Sequence, residues 1–248
     1  MTINPIIFEN ANTGIPNLME DDYTLDWSMT RNERYCLTQL LKKIKPTVTI
    51  EIGTYNGGSL QVLSKYSQKV YAIDIDDNIK NKLQGQFDNV VFLIGDSKTI
   101  IPKLIKELQE KNELVEFVLI DGDHSELGVK ADIENIIGYI PNTSLNIILH
   151  DSFNPYCRKG MKAVNYNANP HIHYVELDYI SGSFEPDGLK NEMWGGFAHI
   201  VLLKELRKTQ LRIHQSQKKL YDIAYIHSKY FIKDRFRFLK PIVRLLRK

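Results

Sequence analysis

Cysteine is nearly missing from this chain of 248 residues. Only Cys36 and Cys157 occur, far apart and outside any C-x-x-C pattern. That leaves no disulfide framework and no zinc-site spacing, and it points to a reducing compartment. No apolar run is long enough to span a bilayer. The start, Met1 to Asp22, is polar and mildly acidic and carries no basic-plus-apolar leader. A cytoplasmic location is therefore expected. Internal repeats and low-complexity segments are lacking too. Net charge is small, with 32 Lys/Arg against 30 Asp/Glu. The balance hides an asymmetry: Lys204 to Lys248 holds 14 basic and 3 acidic residues, leaving 18 basic and 27 acidic in the body. An acidic body carries a basic tail. No nucleic-acid recognition module accompanies that tail, so no nucleic-acid partner is expected. The length suits one large domain with appendages.

One further absence sits inside the most informative stretch, Val48 to Leu60. The β-branched residues Val48, Thr49, Ile50 and Ile52 read as a buried strand, and Gly53, Gly57 and Gly58 as the turn into a helix capped by Asn56 or Ser59. Such a turn aims backbone N–H groups at a crevice, and the glycines leave room for a ligand. A dinucleotide fingerprint G-x-G-x-x-G needs a second glycine where this chain has Tyr55. Glu51, at the strand end, is also a poor neighbour for a pyrophosphate. It suits a ligand carrying an ammonium or a sulfonium, which favours S-adenosylmethionine (SAM) over NAD.

In chain order, Met1 to Met29 reads as an irregular arm or a flap over a site. Thr30 and Glu33 form a capping box for a helix with Tyr35, Leu37, Leu40, Leu41 and Ile44 on its apolar face, ended by Pro46. Further strands are expected at Lys69 to Asp76, Asn89 to Gly95, Glu116 to Ile120 and Leu145 to Leu149, each followed by a helical pattern. This alternation implies a parallel sheet with helices on both faces, and ligands at the carboxyl ends of the strands. Acids lie at those ends. Asp74 falls where nucleotide folds place the acceptor of ribose hydroxyls. Asp96 and Ser97 either border an adenine or cap the next helix. Two late strands, His173 to Tyr179 and Gly196 to Leu203, flank a loop with Gly182, Pro186, Gly188 and Trp194 that is long enough to shape a substrate pocket. From Lys204 the pattern reads as helical to the end, with a break at Pro241. The organisation is thus an arm and helix over 1–46, a core over 47–203 and a basic helical tail over 204–248.

A second constellation is Asp121-Gly122-Asp123-His124 and His150-Asp151. Asp121 and Asp151 end strands expected to be neighbours, about 4.8 Å apart. Their carboxylates suit a shared Mg²⁺ or Mn²⁺ that lowers the pKa of a substrate hydroxyl. His124 lies on the same rim and can take the hydroxyl proton. His150 is a rival base or a third metal ligand. The bland alternative is helix capping and solvation.

Glu51 to Ser59, Tyr71 to Asp74, Leu119 to Ser125 with Gly128 to Asp132, and Ile148 to Asp151 together resemble the class I SAM-dependent methyltransferases. Within them the chain looks like the small bacterial O-methyltransferases that include macrocin-type sugar methyltransferases and cephalosporin hydroxylase-like proteins. The resemblance covers about Arg31 to Leu203. It implies an α/β, Rossmann-like sheet of seven strands, order 3-2-1-4-5-7-6, with strand 7 antiparallel. It further implies that Glu51, Gly53 and Gly57, with Tyr55 and Ser59 in the same turn, line SAM's methionine and ribose. Asp74 would hold the ribose hydroxyls, and Asp96 with Ser97 would border the adenine. Asp121 and Asp151 would hold Mg²⁺, and His124 would act as base. The departure is at His150, where metal-dependent relatives often carry another acid. The reaction implied is methyl transfer from the sulfonium to the hydroxyl of a sugar, glycan or other small metabolite.

Two other functions compete. An NAD-dependent oxidoreductase is disfavoured by Tyr55. A non-catalytic SAM-binding or interaction protein built around the tail is disfavoured by the intact Asp121, His124 and Asp151. The tail mixes Phe236, Phe238, Leu239, Ile242, Val243, Leu245 and Leu246 with Arg and Lys. Basic amphipathic segments of that kind lie on anionic membrane surfaces, and upstream Leu206, Leu220, Ile223, Ala224, His227, Tyr230 and Phe231 suit packing on a second copy of the chain or on the core.

Overall fold

The structure is a computed structural model that describes residues 23–185 and 191–235. The acidic cluster Glu20-Asp21-Asp22, the loop residues Pro186 and Gly188, and the basic end from Phe236 to Lys248 lie outside the described residues.

A helix α1 (Arg31–Ile44) precedes a strand–helix alternation. That alternation runs β1 (Val48–Ile52), α2 (Gly58–Tyr66), β2 (Lys69–Asp74), α3 (Asn78–Leu83), β3 (Val90–Ile94), α4 (Ser97–Glu110), β4 (Val115–Ile120), α5 (Glu126–Ile136), β5 (Leu145–His150) and α6 (Pro155–Ala163). The helices start where short polar side chains can bond the first free N–H groups. Thr30 and Glu33 form the capping box, Asp96 accepts from Lys98 N, Ser125 from Gly128 N and Asn154 from Tyr156 N. All five residues of β1 are buried, as befits a central strand covered on both faces. One apolar layer packs α4, α5 and α6 on the sheet; the other packs α1, α2 and α3 on its opposite face.

Beyond α6 come β6 (Ile172–Ile180), a hairpin of β7 (Ser183–Glu185) and β8 (Glu192–Trp194), β9 (Phe197–Leu202), β10 (Ile213–His214), and helices α7 (Lys218–His227) and α8 (Lys229–Arg235). The large sheet has the order β3-β2-β1-β4-β5-β9-β6-β10. Strand β9 is antiparallel to both neighbours, and the other pairings are parallel. The expected order is present, with one correction: an eighth strand, β10, pairs with Val175 and Glu176 at the edge. The tail is accordingly not helical from Lys204. Its first part is held as extended chain and turns because the Arg207 guanidinium donates to the carbonyls of Asn169, Ile172 and Thr209, while Leu211 is buried in the core. Helix begins only at Lys218.

The chain leaves β1 toward β2 and β3 on one side and returns to β4 on the other. The carboxyl ends of β1 and β4 therefore flank the point where such sheets open a ligand crevice.

Candidate active site

Gly53 closes β1 with φ +86, and a Cβ there would stand 2.1 Å from the Asp121 carbonyl oxygen. Only glycine lets the ends of β1 and β4 come this close. The turn after it is held from β2. Asp74 Oδ2 accepts from Thr54 N at 2.8 Å and from Tyr55 N at 3.1 Å, and Asp74 Oδ1 accepts from Asp76 N at 3.0 Å. Glu51 lies fully buried beneath the turn and accepts from Ser59 Oγ at 2.5 Å and Thr54 Oγ1 at 3.0 Å. Burial pushes its carboxyl up to about 8, because the two hydroxyls only partly replace water and the Asp121 and Asp74 charges oppose ionisation.

Above this floor is an open cleft of about 350 Å³, its mouth included. One wall is Gly53, Thr54, Tyr55, Asn56, Gly58, Ser59 and Asp121; the other is Asp26, Trp27, Ser28 and Met29. The arm before α1 is thus a wall of the cleft. Gln61 holds it there, accepting from Thr24 N and Leu25 N at 3.1 Å each and donating to Leu25 O at 3.0 Å. The space left by two glycines is filled by the chain itself. A Cβ on Gly58 would stand 2.3 Å from Asp26 O, and one on Gly57 would stand 3.0 Å from Leu25 Cδ1. Asp96 caps α4, and Ser97 Oγ donates to the buried Asp132 at 2.7 Å. Both stand at the end of β3, outside the cleft lining.

At the ends of β4 and β5, acids and imidazoles alternate. Asp121 Oδ1 lies 2.8 Å from His150 Nδ1 and 3.4 Å from His124 Nε2. His124 Nδ1 lies 3.4 Å from Asp151 Oδ2, and His150 Nε2 lies 3.3 Å from Glu33 Oε1. His124 is half exposed at the rim, whereas His150 is 7% exposed. Burial alone would raise the Asp121 carboxyl, but the His150 and His124 rings outweigh it and hold the group at about 2. Burial likewise opposes a charged His150, yet its two carboxylate neighbours hold its pKa well above the usual imidazole range. The bond to Asp121 raises His124.

This arrangement does not fit a divalent cation. Asp121 Oδ1 is committed to two rings, Asp151 Oδ1 accepts from Gly195 N, and both His150 nitrogens face carboxylates. Among the described residues no group of three His, Cys, Asp or Glu is placed to hold a metal ion. The Mg²⁺ or Mn²⁺ site expected at Asp121, Asp151 and His150 is thus not supported by the described residues: imidazole nitrogens stand beside the carboxylates read as its ligands.

Glu33 and Gln61 are the parts of the site that the sequence concealed, while the wall residues Asp26 to Met29 lie in the segment read as either an arm or a flap. Glu33 read as a helix cap, and one of its oxygens does that work. A Gln early in an amphipathic helix has no signature of a clamp.

Residues 50–152 match a family described as a methyltransferase domain. No curated protein sequence matches. Cofactor-bound Rv0187 from MTB is similar at TM-score 0.53 and 17% identity, over 72% of this chain and 82% of that one. The O-methyltransferase TomG from Streptomyces achromogenes, in complex with SAM, is similar at 0.51 and 11% identity, over 73% and 83%. An O-methyltransferase from Bacillus cereus in complex with SAH is similar at 0.50 and 14%, over 72% and 83%. At such identities the likeness speaks for the fold. Residues 50–152 therefore match a methyltransferase domain, and the chain shares the fold of these cofactor-, SAM- and SAH-bound structures.

Proposed function

We propose that the protein is an O-methyltransferase that moves the sulfonium methyl of SAM onto the hydroxyl of a small hydroxylated metabolite, with sugars and glycans as the first acceptors to try. The observation that carries this reading is the placement of His124. It stands half exposed on the rim between Asp121 and Asp151, beside a cleft that Asp121 itself lines. The acceptor oxygen attacks the methyl carbon, the carbon–sulfur bond breaks, and neutral S-adenosylhomocysteine leaves. The acceptor proton passes to a nitrogen of His124 in its neutral form, a form favoured by rising pH because the bond to Asp121 raises the ring's pKa. Alignment of oxygen, methyl and sulfur supplies most of the rate, and the base adds about 10²–10⁴-fold. The choice of sugars rests on the resemblance of the Asp-Gly-Asp-His segment to sugar methyltransferases.

The electrostatics of the cleft support a cationic cofactor. Asp26 and Asp121 line it. The N–H groups of Thr54 and Tyr55, which a pyrophosphate would need, are taken by Asp74. NAD is disfavoured on both counts.

Calorimetry with SAM, with and without Mg²⁺, is the first measurement, followed by a screen of hydroxylated sugars for S-adenosylhomocysteine release. His124→Asn should lower turnover at least about 100-fold and leave the SAM dissociation constant within a factor of two. A folded wild type that ignores SAM, or a His124→Asn variant with full turnover, removes the reading. No helix among the described residues is long and apolar enough to cross a membrane. Peripheral contact through residues 236–248 is part of the same proposal: their deletion should abolish sedimentation with anionic liposomes, and unchanged sedimentation rejects it.

A further inference from the structure

Glu33 is a carboxylate with no exposed side chain, and capping does not account for its position. A cap works as well from an exposed Glu, whereas a buried carboxylate is costly unless it is paired. One oxygen, Oε2, accepts from Thr30 N at 2.6 Å and completes the cap. The other, Oε1, accepts from Gly196 N and lies 3.3 Å from His150 Nε2, at ion-pair distance though off the line of a hydrogen bond. His150 thus has a carboxylate at each ring nitrogen. The Phe197 ring, edge-on with its centroid 5.7 Å away, limits rotation of the imidazole.

A glycine pair sets the spacing of the surrounding acids. Gly195 and Gly196 both have positive φ. Their consecutive N–H groups donate to Asp151 Oδ1 and to Glu33 Oε1 respectively. A Cβ on Gly195 would stand 2.8 Å from Glu33 Oε1. The chain therefore uses one backbone donor, Gly196 N, and a position only glycine fills to place Glu33 against His150.

We propose that Glu33 is a positioning residue of the methyl-transfer site: it holds the His150 ring with Nδ1 on Asp121, and so sets where Asp121 stands toward the cleft and toward His124. Glu33 touches neither cofactor nor acceptor. The idea rests on the reading of the site given above, so its test uses a signal that needs neither.

In full-length protein labelled with ¹⁵N-histidine, ring-nitrogen NMR reports which nitrogens of His150 and His124 carry protons; His150→Asn and His124→Asn provide the assignments. In the wild type at pH 7, His150 should carry a proton on both nitrogens. Glu33→Gln keeps the size and an amide oxygen for the backbone donors. It should remove the Nε2 proton of His150 and shift the His124 signals. Thr30→Ala weakens the cap alone and should lower the melting temperature without moving either ring. The SAM dissociation constant should weaken in Glu33→Gln, and His150→Asn should make the Glu33→Gln change add less than a further twofold. Unmoved His150 signals in a folded Glu33→Gln, or the same movement in Thr30→Ala, overturn the proposal. Should Glu33→Gln fail to fold, a wild-type His150 without a proton on Nε2 overturns it alone. Failure of SAM binding with the expected ring signals would sink the cofactor reading and leave the positioning role of Glu33 standing.

Discussion

Glu51 shows how a residue expected to touch the cofactor is placed beneath the turn instead. A contact with the cofactor was expected; the structure puts its carboxyl under the turn, bonded by Ser59 and Thr54, with no exposed surface. Its role is to hold the turn through those hydroxyls. Burial raises its pKa to about 8, while the unfolded chain ionises it near 4.5. For an acid raised on folding, the unfolded state gains as pH climbs from the lower value to the higher. Glu51→Gln, which keeps an acceptor for Ser59, removes that penalty. Melting curves from pH 5 to pH 9 should show the variant gaining on the wild type as pH rises and levelling off above about 8. A gap that stays constant with pH would show that Glu51 is ionised in the folded protein. Gly53, Tyr55 and Asp121 line the cleft as expected, because a strand end and a glycine turn are local features with local signals.

The segment from Tyr23 to Met29 and helix α2 behave as one element. Gln61, on α2, meets the segment through three hydrogen bonds and bonds Gly58 O at 3.0 Å as well. Tyr23 and Trp27 stack edge to face at 5.3 Å, and Met29 is buried. Gln61→Ala leaves the N–H groups of Thr24 and Leu25 without their partner, a loss of about 1–3 kcal/mol. Because the segment carries one wall of the cleft, the cost falls on local opening rather than on the whole fold. Faster hydrogen exchange and proteolysis confined to residues 23–29, with weaker SAM binding, are expected. Uniformly faster exchange across the sheet would instead mean that Gln61 supports the core. The sequence left this segment open between an arm and a flap, since nothing in Asp26-Trp27-Ser28-Met29 states which glycines it will cover.

Across the molecule, one buried ion pair ties the late elements to the sheet. Arg158 on α6 and Asp178 on β6 meet at 2.6 Å, both almost without exposed side chain. Arg158 also stacks on Tyr221 of α7 at 4.1 Å, and Asp178 Oδ2 accepts from Gln217 N just before that helix. Phe153, two residues beyond Asp151, packs with Met193, Ala224 and Tyr230. The C-terminal helices are thereby seated on the loop that carries Asp151. Arg158→Ala leaves a carboxylate buried and unpaired, which costs about 3–5 kcal/mol. A clearly lower denaturation midpoint is expected, with α7 and α8 exchanging fastest. A midpoint within measurement error of the wild type would show that water enters and solvates Asp178.

The alternation of strands and helices, the central turn and the acids at the strand ends were legible in the sequence, since each follows from the spacing of apolar residues, glycines and caps within a few positions. The pairing of those acids was not. Glu33 comes from α1, Asp121 from just after β4, His150 from the end of β5 and Gly196 from the turn before β9, and nothing in the chemistry of one forecasts which of the others it will face. An Asp at the end of β4 suits a metal as well as an imidazole; Glu33 of α1 brings a second carboxylate to His150, whose ring stands beside Asp121. The eighth strand was hidden for the same reason, because Ile213 and His214 become a strand only where β6 offers them a free edge.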